Sequence, residues 1–125
     1  MCVKSHKPKG NKKKLWDSAE ANFSDNNDSL EIFGNPVMES WEEPYMEELA
    51  NIATMNNGKV LEIGYGLGIS ASYIQKSNAK EHHIIEANNN VFKKLTDFSK
   101  NSKIKIYTYK GLWQNQIKNI NKNSF

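Results

Sequence analysis

Residues 60–68 read V-L-E-I-G-Y-G-L-G, a short apolar run that passes without a break into three alternating glycines. Lys59–Ile63 is short, apolar and β-branched, as a buried strand requires. Glycines directly after a strand let the chain turn sharply and let a ligand reach the backbone. The following stretch, Ile69–Lys76, has a helical pattern, so strand, glycine loop and helix are consecutive. The alternation continues with His82–Glu86 as a strand, Asn89–Lys100 as a helix and Ile104–Tyr109 as a strand. A β-α-β-α-β series predicts an α/β fold, the first half of a doubly wound parallel sheet with right-handed crossovers.

The chain's 125 residues suffice for one small domain. No apolar run approaches the roughly eighteen residues of a membrane helix. Met1–Lys14 is rich in lysine and lacks an apolar centre, so it is not a secretory signal. With Pro8 and Gly10 among its lysines, residues 1–14 read as a disordered, solvated tail rather than a nucleic-acid arm. Every basic residue is lysine, whereas nucleic-acid readers usually show arginine forks on a folded face. The single cysteine, Cys2, excludes an internal disulfide and a cysteine-based metal site, and points to a reducing, cytoplasmic setting. His82 and His83 have no acid or cysteine at ligand spacing to complete a metal site and read as structural.

Residues 15–58 read as a helical arm or lid before the half domain at 59–125. Leu15, Trp16, Phe23, Ile32 and Phe33 anchor an irregular stretch with a short helix. Residues 35–55 read as a helix in two pieces, with Asn35 as N-cap, Pro36 at the first helical position and a break near Glu43 caused by Pro44. Met38, Glu42 and Met46 then share one face, and Trp41, Tyr45, Leu49 and Ile52 mark an adjacent apolar face. Asn57–Gly58 closes the segment with a turn.

The dinucleotide fingerprint is G-x-G-x-x-G, but here the third glycine falls one residue early, at Gly68, and Ile69 follows. The G-x-G-x-G of Gly64, Gly66 and Gly68, preceded by Glu62, resembles the first motif of class I S-adenosylmethionine methyltransferases. Glu86 ends the second strand about twenty residues beyond the loop, where an acid accepts ribose hydroxyls.

A longer resemblance surrounds this motif. N-P-V-M-E-S-W-E-E-P-Y-M, from Asn35 to Met46, is similar to the P-V-M-E-x-W-E-x-P-Y-M segment of the guanidinoacetate N-methyltransferases. The likeness continues through Val60–Gly66, His83–Glu86, Val91–Phe92 and Lys110–Trp113. It spans nearly everything outside the lysine tail and implies a Rossmann-like, S-adenosylmethionine-dependent N-methyltransferase that converts guanidinoacetate to creatine.

Carried onto this sequence, the resemblance implies that Trp16 closes over the site and touches cofactor and substrate. Met38 and Met46 would line the cofactor pocket, and Met38 would also border the substrate. Glu42 would bind the guanidino group and serve catalysis. Gly64, Gly66 and Gly68, with Ile69, Ser70, Ala71, Ser72 and Tyr73, would hold the methionine part of the cofactor. Glu86 would take the ribose, with Ala87, Asn88, Trp113 and Gln114 beside the adenine. The sequence departs from the family at Ala87, commonly cysteine, at Gln114, commonly an acid, and at Gly68, which is not glycine in animal members.

A guanidinium is planar, cationic and barely nucleophilic, with a pKa above about 12. Carboxylates bind its fork and can accept the proton it must lose to attack a sulfonium methyl. In the family a second carboxylate comes from the strand that follows, past the position of Phe125. The chain therefore reads as an amino-terminal fragment with an open sheet edge at its last strand, inactive toward guanidinoacetate by itself. Two other readings are a methyltransferase for another guanidino compound such as arginine, and a non-catalytic fragment that binds S-adenosylmethionine or a protein partner.

Overall fold

A computed structural model describes residues 16–24, 28–32 and 35–120, without the side chains of 35, 36 and 40. The lysine-rich residues 1–14, with Cys2, and the anchors Leu15 and Phe33 lie outside the described residues.

The predicted parallel sheet is present. Strands β4 (Lys59–Ile63), β5 (Glu81–Glu86) and β6 (Ile106–Lys110) stand in the order β4-β5-β6, all parallel. Helix α2 (Ile69–Gln75) connects the first pair and α3 (Asn89–Lys100) the second. This is the Rossmann-like half that the sequence predicts. β5 is the central strand and is buried along nearly its whole length, as its run of histidines and isoleucines requires. Both β4 and β6 are edges among the described residues, not the last strand alone. The last strand begins two residues later than predicted. Both backbone groups of Ile104 bond the Gln75 side chain, its N–H at 2.7 Å and its carbonyl at 3.1 Å.

Two aliphatic clusters hold the helices down. Val91 and Leu95, one turn apart on α3, meet Ile84 of β5, Tyr65 and Ala71. Ala50, Val60, Ile74, Ala79 and Ile104 form the second cluster, where α1 (Glu43–Ala53) packs beside α2.

The segment before β4 differs from the helical arm expected. Strands β1 (Ala21–Phe23), β2 (Ser29–Ile32) and β3 (Asn35–Glu39) form a second, antiparallel sheet in the order β1-β2-β3. β2 buries Leu30 and Ile32 in the Ile84 cluster and exposes Glu31 between them, a period of two. Asn35 and Pro36 are thus strand residues, not a helix start. A proline, having no N–H, is tolerated because β3 is an edge among the described residues. The pairing also shifts register between Leu30 and Glu31.

Pro44 breaks no helix. A 3₁₀ turn (Ser40–Glu42) leads into α1, and Pro44 occupies its first turn, where an N–H has no intrahelical acceptor. Met38, Glu42 and Met46 therefore sit on strand, turn and helix rather than on one helical face, though all three are buried. The apolar face expected at Trp41, Tyr45, Leu49 and Ile52 is not the packing face. Met46 and Ala50 point inward, while Trp41, Tyr45 and Ile52 are exposed.

Candidate active site

The glycine loop leaves β4 at its carboxyl end, where parallel sheets bind ligands. Gly64 extends the ladder, donating its N–H to the Ile85 carbonyl at 2.7 Å. Two glycines are then required by their surroundings. Gly66 has φ +58°, and a Cβ there would come within 2.9 Å of Met38 Cε. Gly68 has φ +79°, and a Cβ would overlap the Tyr65 hydroxyl. Tyr65 turns inward against the aliphatic cluster, with Phe98 at 5.6 Å between ring centres.

Met38 on β3 reaches this loop from the antiparallel sheet. The Leu67 N–H points at its sulfur at 3.4 Å. A thioether is polarizable and adapts to irregular gaps, so it can border the loop without imposing a fixed shape.

Glu86 ends β5 and turns back toward the same loop. One carboxylate oxygen accepts the Tyr65 N–H at 2.8 Å and the other the Asn88 N–H at 2.9 Å. Burial pushes its carboxyl above the ordinary value, while backbone N–H groups of Tyr65, Asn88, Gly66 and Ala87 pull the other way. Both carboxylate oxygens are thus turned onto the backbone around the loop.

Asn88 joins the arm to this end of the sheet. Its side-chain oxygen caps α3, accepting from the Asn90 and Val91 N–H groups at 2.9 and 3.1 Å. Its amide donates to the Trp16 and Ala19 carbonyls at 2.9 and 2.8 Å. The Trp16 backbone is thereby tied to Asn88. Lys110 donates to the Ala87 carbonyl at 2.6 Å, and the Gly111 N–H donates to the Glu86 carbonyl at 3.0 Å. Trp113 and Gln114 follow on the exposed turn α4 (Trp113–Gln116).

The remaining candidates are placed differently. Glu42 is buried, and its Oε2 accepts the Glu39 N–H at 3.1 Å. Met46 is buried on the inner face of α1. On α2, Ser70 turns to Glu62 and the Ser72 hydroxyl donates to the Gly68 carbonyl at 2.7 Å. Ala71 is in the core, and Tyr73 donates to Glu43 on α1 at 2.9 Å. Ile69 opens α2. The structure thus brings Met38 and Glu86 to the loop at Gly66, with Asn88 joining Glu86 to the Trp16 backbone, and Tyr73 points elsewhere.

His82 and His83 have structural partners. His83 lies 2.8 Å from the Tyr109 hydroxyl and 2.9 Å from Glu81, stacked on Tyr107. His82 belongs to a buried set with Glu62 and Gln75 that sequence reasoning did not assemble. Three hydrogen-bonding side chains at positions otherwise patterned for burial were the only hint of it. Among the described residues, no group of three or more histidines, cysteines or acids could hold a metal ion. No helix among them is long and apolar enough to cross a membrane.

Residues 5–125 match the guanidinoacetate N-methyltransferase family. The chain belongs to that family. It is also similar to proteins named protein arginine N-methyltransferase 2. The one from Aspergillus oryzae is 31% identical over 103 residues, covering 81% of this chain and 25% of the relative. The one from Candida glabrata is 32% identical over 88 residues, covering 67% of this chain and 21% of the relative. The chain therefore spans a fifth to a quarter of the length of these relatives. The parallel sheet brings the glycine loop and Glu86 together at one end.

Proposed function

We propose that this chain holds S-adenosylmethionine and belongs to an enzyme that methylates a guanidino group, with guanidinoacetate as the first candidate acceptor. The observation that carries the reading is the convergence of Met38, the Gly66–Leu67 backbone and Glu86 on one loop at the carboxyl end of a parallel sheet. The residues present fit the cofactor. The loop has no side chain at Gly66, Glu86 ends β5 beside the loop, where an acid meets ribose hydroxyls, and Met38 offers sulfur to a sulfonium. When bound, S-adenosylmethionine supplies an activated methyl group.

The chain's own residues do the rest. Glu86 orients the ribose end, and Ala87, Asn88, Trp113 and Gln114 border the base. Trp16 and Met38 exclude water. Glu42, buried where β3 turns into α1, binds the planar guanidinium and takes up the proton shed on methylation. Holding the acceptor nitrogen in line contributes by proximity. The similarity to protein arginine N-methyltransferases favours a second acceptor, arginine, because Glu42 suits any guanidinium.

Calorimetric titration with S-adenosylmethionine tests the cofactor reading. Binding is expected, and Glu86→Ala is expected to weaken it about tenfold or more, the loss of charge-assisted hydrogen bonds. No binding by the unmodified chain overturns the reading. Guanidinoacetate and an arginine peptide, each added with S-adenosylhomocysteine, separate the two acceptors. Glu42→Gln should weaken whichever binds.

A further inference from the structure

A chain of buried polar side chains runs beneath the glycine loop. Glu62, two residues before Gly64, is only 3% exposed. One of its oxygens faces His82 Nε2 at 2.9 Å, and the other accepts the Ser70 hydroxyl from α2. Both ends of the loop are therefore fastened to one carboxylate. His82 is fully buried, and its Nδ1 lies 3.0 Å from Gln75 Nε2.

The orientation of the Gln75 amide is fixed independently. Its oxygen accepts the Ile104 N–H at 2.7 Å, and its nitrogen donates to the Ile104 carbonyl at 3.1 Å. A flipped amide would lose both bonds, so Gln75 presents an N–H to His82 Nδ1. That ring nitrogen is an acceptor. The ring proton is on Nε2, where it donates to Glu62, and the ring so held is uncharged.

The neighbours add no compensating charge. Ser70 and Gln75, from α2, are neutral. Tyr65, on the loop, has its phenol pushed up by burial and by Glu62, so it stays protonated. From the β6 side the Lys105 carbonyl accepts the His82 N–H at 3.3 Å. Among the described residues no lysine lies in ion-pair range of Glu62. Its negative charge is hydrogen-bonded but not cancelled, a costly state unless a cation arrives.

We propose that His82 and Gln75 are positioning residues that keep Glu62 aimed and electrically uncompensated beneath the loop, so that the loop prefers a ligand with a cationic end. This rests on the S-adenosylmethionine reading above. The preference distinguishes S-adenosylmethionine, cationic at its methionyl end, from neutral adenosine, which shares the nucleoside part alone.

The test pairs ring ¹⁵N NMR of His82 at neutral pH with titrations of both ligands into the unmodified chain, His82→Leu and His82→Gln. The expected ring is neutral with its proton on Nε2. His82→Leu should weaken S-adenosylmethionine about tenfold and adenosine less than about threefold, since a remote charge acts on the charged ligand alone. His82→Gln, which can donate to Glu62 without charge, should restore S-adenosylmethionine to within about threefold. A charged ring, a proton on Nδ1, equal weakening of both ligands or failed rescue overturns the proposal. If His82→Leu does not fold, the tautomer and the His82→Gln affinity decide it. No binding by the unmodified chain overturns the cofactor reading and this proposal together. Intact binding that ignores His82→Leu overturns this proposal alone.

Discussion

The two sheets have three strands each among the described residues, and both bury aliphatic side chains in the same cluster, yet they depend on different information. In the parallel sheet each strand carries its own instruction. Lys59–Ile63 is apolar enough to be a strand wherever it lies, and its loop and helix follow at once. In the antiparallel sheet β1 has 3 residues and β2 has 4, too few for a period to assert itself. Leu30 and Ile32 are buried because Ile84, Val91 and Leu95 are there to receive them. The candidate site needs both sheets, one for the loop and Glu86, the other for Met38.

Two core truncations should separate the sheets. Ile84 and Leu30 are both fully buried. Ile84→Ala, in the central strand, is expected to cost about 4 kcal/mol and to lower the stability of every slowly exchanging amide. Leu30→Ala should cost about 3 kcal/mol, with hydrogen exchange rising chiefly in β1–β3 and little in β4–β6. Uniform acceleration in both variants would show that the sheets open as one unit and would break the comparison.

This division also explains what was legible in the sequence. The boundaries of Lys59–Ile63 and Asn89–Lys100 follow from sequence because periodicity, glycine and the Asn88 cap all act locally. Asn35 and Pro36 carry an equally good helix-start signature. Pairing of β3 with β2 overrode it, and that partner is settled by tertiary packing. Pro44 is ambiguous in sequence because a proline suits a helix's first turn and interrupts its interior alike; only the observed start at Glu43 decides. Within the site, Gly66 and Glu86 were legible as a motif. Met38 was placed by resemblance, and its contact with the loop depends on a strand the pattern did not disclose.

Asn88 is where the arm meets the parallel sheet. Asn88→Ala removes the cap of α3 and strips donors from the Trp16 and Ala19 carbonyls. The expected loss is about 2–3 kcal/mol by denaturant unfolding, with Trp16 fluorescence shifting as the arm loosens. Asn88→Asp keeps the cap and loses the donors, so it should loosen Trp16 with a smaller stability loss. Equal effects of the two would show that the cap alone matters.

The loop glycines sharpen the same contrast at smaller scale. Gly68→Ala would force its methyl against Tyr65, whose ring is packed in the parallel-sheet core, at a cost of about 2 kcal/mol. Gly66→Ala meets the flexible end of Met38 and should cost about 1 kcal/mol, mostly for its positive φ. Adding Met38→Ala to Gly66→Ala should remove the contact component and leave the backbone cost. Thermal unfolding of the three variants reads the order. A larger loss at Gly66 than at Gly68 would mean that the antiparallel sheet grips the loop harder than the core does.

The smallest effect is the pH dependence carried by Glu86. Its carboxyl is raised by burial, with backbone N–H groups offsetting part of that rise. A carboxyl whose folded pKa exceeds its unfolded one holds its proton more tightly in the folded chain. The unfolded chain then binds fewer protons, so stability from this group falls as pH rises from the ordinary carboxylate value, about 4.3, through the raised value. Below that window both states are protonated and the contribution is constant. Urea unfolding between about pH 4 and 7 should show this decline, and Glu86→Gln, which cannot ionise, should flatten it. A slope unchanged by Glu86→Gln would mean that the loop's N–H groups already offset the burial in full. The parallel-sheet end of the site would then carry its charge at no cost to the fold, unlike Glu62, whose burial asks for a cation.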